Sequence, residues 1–132
     1  GSRGFIDQAW RWKQRMGGAM RQAGIIAAAG VYALEHHVER LAEDHANARL
    51  FADLIAAAPG VELEPETVET NIVFFDVAGT GLTAAEIADR LAGRGVRIGA
   101  MGRTQLRACT HLDVNREQVE EAAEALRLVV EA

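Results

Sequence analysis

The first part of the chain carries apolar residues at the spacing of α-helices. A helix is predicted from about residue 5 to residue 15, where four apolar side chains share one side: Phe5, Ile6, Ala9 and Trp12. Gly17 and Gly18 follow it, and glycine is typical of a helix C-terminus. We therefore expect the first helix to end at these glycines before a second helix begins.

A second helix is predicted to begin near Arg21 or Gln22 and to run toward Glu35. Its side chains are apolar around most of the circumference, from Ile25 to Ala33. A helix without a polar face is normally buried. We therefore expect this helix to pack against a large surface that the rest of the chain does not provide.

Residues 38–58 show the clearest amphipathic pattern. One stripe is expected to face a core: Val38, Leu41, His45, Ala48 and Ile55. The charged residues are expected to face water: Glu39, Arg40, Glu43 and Asp44. Arg40 and Asp44 are four residues apart, a spacing that favours a weak ion pair on a helix surface.

From residue 61 onward, strand and helix patterns alternate in the order β-β-α-β-β-α. Strands are predicted at residues 61–64, 71–77, 96–98 and 106–111, with a polar loop containing Pro65 after the first. Two capping boxes mark helix starts: Thr83 with Glu86, and Asn115 with Gln118. This order predicts an α+β fold in which helices cover one face of a mainly antiparallel sheet.

Two parts of the chain are thus predicted. Residues 1–37 form a helical connecting arm whose apolar surface needs a partner, and residues 38–132 form a small α+β C-terminal domain. The chain reads as part of a larger protein.

Composition narrows the function classes. The net charge is −5, which gives no basic footprint for nucleic acid. No apolar stretch reaches membrane-spanning length and no secretory signal is visible, so we expect no membrane partner and a cytoplasmic location. The single cysteine, Cys109, excludes an internal disulfide, and its apolar strand favours a buried core thiol.

Arg21 lies in the glycine-rich tract 16–24, directly before the second helix. Free N–H groups at a helix start bind anions, so this arginine is a candidate phosphate ligand. The spacing matches neither a phosphate loop nor a dinucleotide-binding pattern. A solvent-exposed arginine without a ligand is the alternative.

Arg107 lies in the apolar run 105–111 and is a second candidate. A buried arginine needs an anionic partner. Glu43 or Asp113 could be that partner, or a ligand carboxylate could bind the guanidinium in two parallel hydrogen bonds. The sequence alone leaves these alternatives open.

Other catalytic or metal sites find little support. The four histidines have no convincing zinc-ligand spacing, and no Ser-His-Asp set or carboxylate pair stands out. Lys13 is the only lysine, and a surface lysine on a charged helix is a poor covalent catalyst because nothing desolvates it.

Several motifs, in order, resemble the C-terminal part of low-specificity L-threonine aldolases, which are pyridoxal-phosphate enzymes of the aspartate-aminotransferase fold type. The resemblance covers nearly the whole chain and is carried by these segments: Arg11-Trp12, Met16-Gly17-Gly18-Ala19-Met20-Arg21-Gln22-Ala23-Gly24, Tyr32-Ala33-Leu34-Glu35-His36, Glu43-Asp44-His45, Thr70-Asn71-Ile72-Val73-Phe74-Phe75 and Thr110-His111-Leu112-Asp113-Val114.

The resemblance implies a role for each arginine. Arg21 would bind the phosphate of pyridoxal 5'-phosphate across a dimer interface, and Arg107 would bind the carboxylate of a small amino-acid substrate. The parent enzyme would cleave β-hydroxy-α-amino acids to glycine and an aldehyde. The N-terminal large domain, with the lysine that holds the cofactor, would lie upstream, so this chain contains no catalytic residue and should be inactive alone. A homodimer or homotetramer is implied.

Two positions depart from the family pattern. Gln14 stands where members often carry a lysine, and Ala19 stands where a third successive glycine is common. Two other functions stay open: a non-catalytic interaction or dimerisation module, and a related pyridoxal-phosphate β-eliminating lyase.

Overall fold

The computed structural model describes residues 1–63 and 67–132, which form two compact units, Gly1–Val38 and Glu39–Ala132. The predicted strand residue Glu64 and loop residue Pro65 lie outside the described residues. Each unit is described by itself.

The first unit contains two helices, α1 (Arg3–Arg15) and α2 (Gly24–His36). The Ser2 hydroxyl caps α1 by accepting the N–H of Phe5 at 3.3 Å. The second helix begins two to three residues later than expected. Gln22 has a φ of 53°, a left-handed backbone that cannot continue a right-handed helix, so it separates Arg21 from α2.

Gly17 and Gly18 end α1 in the way that the sequence predicts. The N–H of Gly17 donates to the Gln14 carbonyl at 3.2 Å, and the N–H of Gly18 donates to the Lys13 carbonyl at 2.8 Å. This is the Schellman arrangement, with Gly17 left-handed at φ 78°. A Cβ on Gly18 would lie 2.9 Å from the Lys13 carbonyl oxygen, so a larger residue would need the chain to shift.

The second unit has the predicted order of strands and helices, preceded by a helix. Its elements are α3 (Leu41–Ile55), β1 (Glu62–Leu63), β2 (Ile72–Asp76), α4 (Ala84–Ala92), β3 (Gly99–Ala100), β4 (Gln105–Cys109) and α5 (Arg116–Val130), with a short 3-10 turn at Ala78–Thr80. The strand expected at residues 96–98 instead forms at Gly99–Ala100, where β4 provides backbone partners.

The four strands form a fully antiparallel sheet in the order β1-β2-β4-β3. Val73 and Phe75 of β2 and Leu106 of β4 are buried beneath the helices. Because side chains alternate along a strand, Phe74 and Arg107 lie on the other face of the sheet. The prediction of helices on one face of an antiparallel sheet is confirmed.

Both predicted capping boxes are present. The Thr83 hydroxyl accepts the N–H of Glu86, whose carboxylate accepts the N–H of Thr83 at 2.8 Å. The side-chain Oδ1 of Asn115 accepts the backbone N–H of Gln118 at 2.9 Å, and the Gln118 Oε1 accepts the backbone N–H of Asn115 at 3.0 Å. Each box satisfies two backbone donors that the helix cannot satisfy itself.

The expected outward position of Asp44 was wrong. Its side chain is 1% exposed, and the Arg40 guanidinium donates two hydrogen bonds to its carboxylate, at 2.9 and 3.0 Å. Leu41, expected in the core, is 44% exposed. The buried face of α3 therefore starts one turn later and is rotated: Asp44, Ala48, Phe51, Ala52 and Ile55. Periodicity missed this because it counted Asp44 as a surface residue, while its paired charge lets it enter the core.

A polar cluster joins α3 to the ends of β2 and β4. The Thr110 hydroxyl donates to the Asp44 carbonyl at 2.6 Å, and the Thr110 N–H donates to the Asn71 carbonyl at 2.9 Å. The Asn71 amide in turn donates to the Thr110 carbonyl at 2.8 Å. Three of the segments that carry the family resemblance, those containing Asp44, Asn71 and Thr110, thus meet here and hold the strand ends in register.

The buried Asp44 carboxylate makes Arg40 a stability determinant. Arg40→Met removes its only charged partner of opposite sign at hydrogen-bond distance among the described residues, so we expect the free energy of unfolding to fall by about 2 kcal/mol or more. The double variant Arg40→Met, Asp44→Leu should recover most of the loss, because no charge stays buried. Urea unfolding followed by circular dichroism measures both. Arg49→Met, an exposed arginine of the same helix, is the matched control, and an equal loss there contradicts the role of the pair.

Asp76 gives the fold a defined response to acid. The backbone N–H of Ala78 and the hydroxyl of Thr104, each 2.7 Å from the carboxylate, lower the pKa of Asp76 from its ordinary value. A carboxyl whose pKa is lower in the folded than in the unfolded state stabilises the fold at pH values above its unfolded-state pKa. This stabilisation is lost as the pH falls through the folded-state pKa. Thr104→Val should raise the pKa of Asp76, and its stability deficit should shrink below about pH 4. An NMR titration of the carboxyl checks this. Thr80→Val, whose hydroxyl bonds Val77, should leave the Asp76 pKa unchanged.

Candidate functional site

Arg21 lies in the turn between α1 and α2, exposed to solvent. Among the described residues, no hydrogen bond or ion pair engages its guanidinium, and no side chain caps the start of α2. The N–H groups of Gly24 and Ile26 likewise have no backbone acceptor within residues 1–63 and 67–132. An exposed guanidinium therefore precedes a helix start with free donors, which is the chemistry of an anion site.

Gln22 adds a geometric reason that the sequence did not reveal. Its left-handed backbone is followed by the right-handed backbone of Ala23, at φ −58° and ψ −18°. Adjacent residues of opposite hand turn successive N–H groups toward a common side, forming a concavity that accepts an anion. A left-handed glutamine is uncommon and carries backbone strain. No residue pattern signals such a turn when the residue is not glycine.

Two cations near Arg21 in sequence are already engaged. The Lys13 amine lies 4.1 Å from the centre of the Trp10 ring, and the Arg15 guanidinium lies 5.4 Å from the Trp12 ring. Both are cation–π contacts on an exposed helix. Lys13 is exposed and not desolvated, as the sequence predicts.

Arg107 lies in the middle of β4, on the face of the sheet that the helices leave uncovered. Its neighbours across the sheet are Phe74 of β2 and Gly99 of β3. The residue is exposed, so the fold does not require an internal anionic partner for it. Strand alternation explains this, because Leu106 takes the core position.

Neither acid considered as an internal partner reaches Arg107. Glu43 lies 3.9 Å from Arg40, and Asp113 lies 3.8 Å from His111. In the described part of the chain no hydrogen bond or ion pair engages the Arg107 guanidinium. A planar fork of five N–H donors thus faces outward on a rigid strand, a geometry that suits bidentate binding of a carboxylate.

The expected core position of Cys109 was also wrong. The thiol is exposed on the same uncovered face as Arg107, and its Sγ accepts from the Asn71 amide at 3.4 Å. The apolar composition of the strand suggested a core position, but the register pairs Cys109 with the exposed Ile72.

The described residues contain neither a group of metal-ligand side chains nor a helix that could span a membrane. Within residues 1–63 and 67–132, no group of three or more His, Cys, Asp or Glu side chains is placed to hold a metal ion. None of the helices described there has the length and apolar character needed to cross a membrane.

Comparison with known proteins gives a consistent family assignment. The model of the beta-eliminating lyase family matches residues 1–78. The low specificity L-threonine aldolase of Escherichia coli (strain K12) is 42% identical over 123 residues, 93% of this chain and 35% of the relative. Low-specificity L-threonine aldolase 1 of Arabidopsis thaliana is 31% identical, over 90% of this chain and 34% of the relative. The resemblance predicted from the motifs is confirmed, and the chain spans about a third of these relatives' length.

Solved structures agree on the fold. The cysteine desulfurase CsdA of Escherichia coli superposes with a TM-score of 0.68 at 20% identity, over 86% of this chain and 32% of that protein. A transaminase crystallised with L-alanine gives a TM-score of 0.65 at 21% identity, over 92% of this chain and 30% of that protein. The two units thus have the fold of about one third of each of these larger proteins.

Cys109 provides a test of the uncovered sheet face. Its thiol should react with a disulfide reagent such as Ellman's reagent in the folded chain, at a rate similar to that in urea, because no helix covers it. Absorbance of the released thiolate measures the rate, and Cys109→Ser should release none. Reaction only after unfolding would show that the face is covered.

Proposed function

Since the chain belongs to the beta-eliminating lyase family, we propose that it is the C-terminal part of an L-threonine-aldolase-like enzyme. The complete enzyme uses pyridoxal 5'-phosphate to cleave β-hydroxy-α-amino acids to glycine and an aldehyde. An upstream large domain supplies the covalent chemistry, and this chain supplies two anion-binding arginines. The 42% identity to the Escherichia coli aldolase supports this choice of reaction.

The observation that carries the proposal is the unpaired guanidinium of Arg107 on the uncovered sheet face. There it binds the substrate carboxylate through two parallel hydrogen bonds. Because β4 is held between β2 and β3, the bound carboxylate has a fixed direction. A fixed carboxylate orients the bond between Cα and Cβ, which lowers the entropy that the reaction must lose on the way to its transition state.

Arg21 binds the cofactor phosphate in the same proposal. The free N–H groups at the start of α2 add donors and the positive end of a helix dipole. We assign this contact to a neighbouring subunit's cofactor, in a homodimer or homotetramer. Ile25 is 79% exposed and Leu34 is 74% exposed on α2. These exposed apolar side chains support the inference that another surface covers this helix in the complete enzyme.

The donors of this chain fit the anionic groups of the cofactor complex and not its covalent attachment. Arg21 and Arg107 suit a phosphate and a carboxylate, whereas Lys13, the only lysine, lies on Trp10 at the surface. When bound, the cofactor would supply an electron sink for the reaction. The lysine that binds it covalently comes from the upstream domain. A cytoplasmic location accords with amino-acid metabolism of this kind.

A β-eliminating lyase is the second candidate, favoured by the family match over residues 1–78. Such an enzyme would need the same phosphate and carboxylate contacts and would differ in the groups that act on Cβ. A non-catalytic interaction or dimerisation module is the third, since α2 exposes an apolar surface.

Two substitutions in the full-length enzyme separate the two arginine roles. Arg21→Ala should weaken retention of pyridoxal phosphate about tenfold or more, because the phosphate loses a charged hydrogen bond, with a smaller effect on KM at saturating cofactor. Arg107→Ala should raise KM for L-threonine by a similar factor with cofactor retention unchanged. Equilibrium dialysis measures retention, and glycine formation gives KM.

The outcomes discriminate among the candidates. Arg49→Ala, an exposed arginine of α3, is the control and should change neither quantity. Equal small effects of Arg21→Ala and Arg107→Ala would contradict the assigned roles. Release of pyruvate and ammonia from serine, without glycine from threonine, would favour the β-eliminating lyase. A full-length protein that ignores the cofactor would favour the interaction module.

A further inference from the structure

Gly99 lies beside Arg107 on the uncovered face of the sheet. The two residues are paired across β3 and β4, so their side-chain positions point to the same face. Both are exposed. Phe74 occupies the corresponding position on the other side of Arg107. Arg107 therefore has an aromatic residue as its cross-strand neighbour on one side and a glycine on the other.

The usual structural reasons for glycine in a strand do not apply to Gly99. Its φ is not positive, and the pairs Gly99–Arg107 and Ala100–Leu106 run consecutively, without a bulge. A Cβ at Gly99 would meet no described atom closer than the Arg107 carbonyl oxygen at 3.7 Å and the Met101 sulfur at 3.9 Å. Both distances are ordinary contacts, so a Cβ, as in alanine, fits at residue 99.

Glycine in a strand often marks a place where a ligand or another backbone approaches closely, and Gly99 has neither a positive φ nor a bulge to account for it. We propose that Gly99 determines specificity for the substrate carboxylate by keeping the space beside the Arg107 guanidinium open. A carboxylate that binds both terminal nitrogens of the fork needs that space. A branched side chain at residue 99 adds bulk on the same face of the sheet as Arg107. This inference rests on the proposed function of Arg107.

The test is a graded series in the full-length holoenzyme: Gly99→Ala and Gly99→Val, with Ala100→Val as the matched control. Ala100 is the next residue of β3, is exposed, and points to the opposite face. Gly99→Val should raise both KM for L-threonine and the calorimetric Kd of glycine about tenfold. The kcat should stay within about twofold, as for a lost binding contact. Gly99→Ala should have a smaller effect, because its methyl stays near the main chain.

Each outcome has a distinct meaning. A Gly99→Val enzyme with unchanged KM and unchanged glycine affinity overturns the inference. A lower Tm and weaker cofactor retention in Gly99→Val also overturn it, because they indicate a structural role, as does an equal KM increase in Ala100→Val. If Arg107→Ala leaves the glycine Kd unchanged, the proposed function itself fails, whatever the result at Gly99. If Arg107→Ala weakens glycine binding as expected but the Gly99 variants bind glycine normally, only this inference is rejected.

Discussion

The antiparallel pairing of β2 with β4 is the constraint on which the second unit depends. Five consecutive residue pairs, from Ile72–Cys109 to Asp76–Gln105, fix which side chains face the helices. A slip of one residue would turn Arg107 into the core and Leu106 out to solvent, with a large loss of buried apolar area and an unpaired buried charge. The cluster of Asn71 and Thr110 closes one end of this register and ties it to α3. The outward position of Arg107 is therefore as well determined as the core itself.

Much of this architecture follows from sequence patterns alone. The capping boxes at Thr83 and Asn115, the glycines that end α1 and the alternation of strands and helices all depend on local chemistry, which a single sequence displays. The predicted burial state of Asp44 and of Cys109 was wrong for a shared reason. Whether each side chain is buried depends on how the elements pack: α3 turns Asp44 inward, where Arg40 pairs with it, and the register that pairs Cys109 with Ile72 turns Cys109 outward. Composition of the surrounding segment does not contain that information.

Some features of the candidate site could likewise be predicted from the sequence, and others are visible only in the structure. Arg21 and Arg107 stood out because arginine is unusual at a helix start and in an apolar strand. The backbone of Gln22 and the bare position at Gly99 did not stand out, because their significance lies in dihedral angle and in what faces them across the sheet. Residues 16–24 also contain two distinct features. Gly17 and Gly18 end α1, whereas the anion donors belong to the turn that follows.

The surface of α2 has a consequence for assembly. Its exposed apolar side chains, Ile25, Ile26, Val31, Tyr32 and Leu34, are spread around the helix axis rather than gathered on one stripe. One flat neighbour shields only part of such a cylinder. Complete removal from water requires enclosure from several directions, by at least two distinct surfaces. In the proposed assembly, α2 would therefore gain most of its burial from surfaces outside its own unit, whereas the sheet carries its own core.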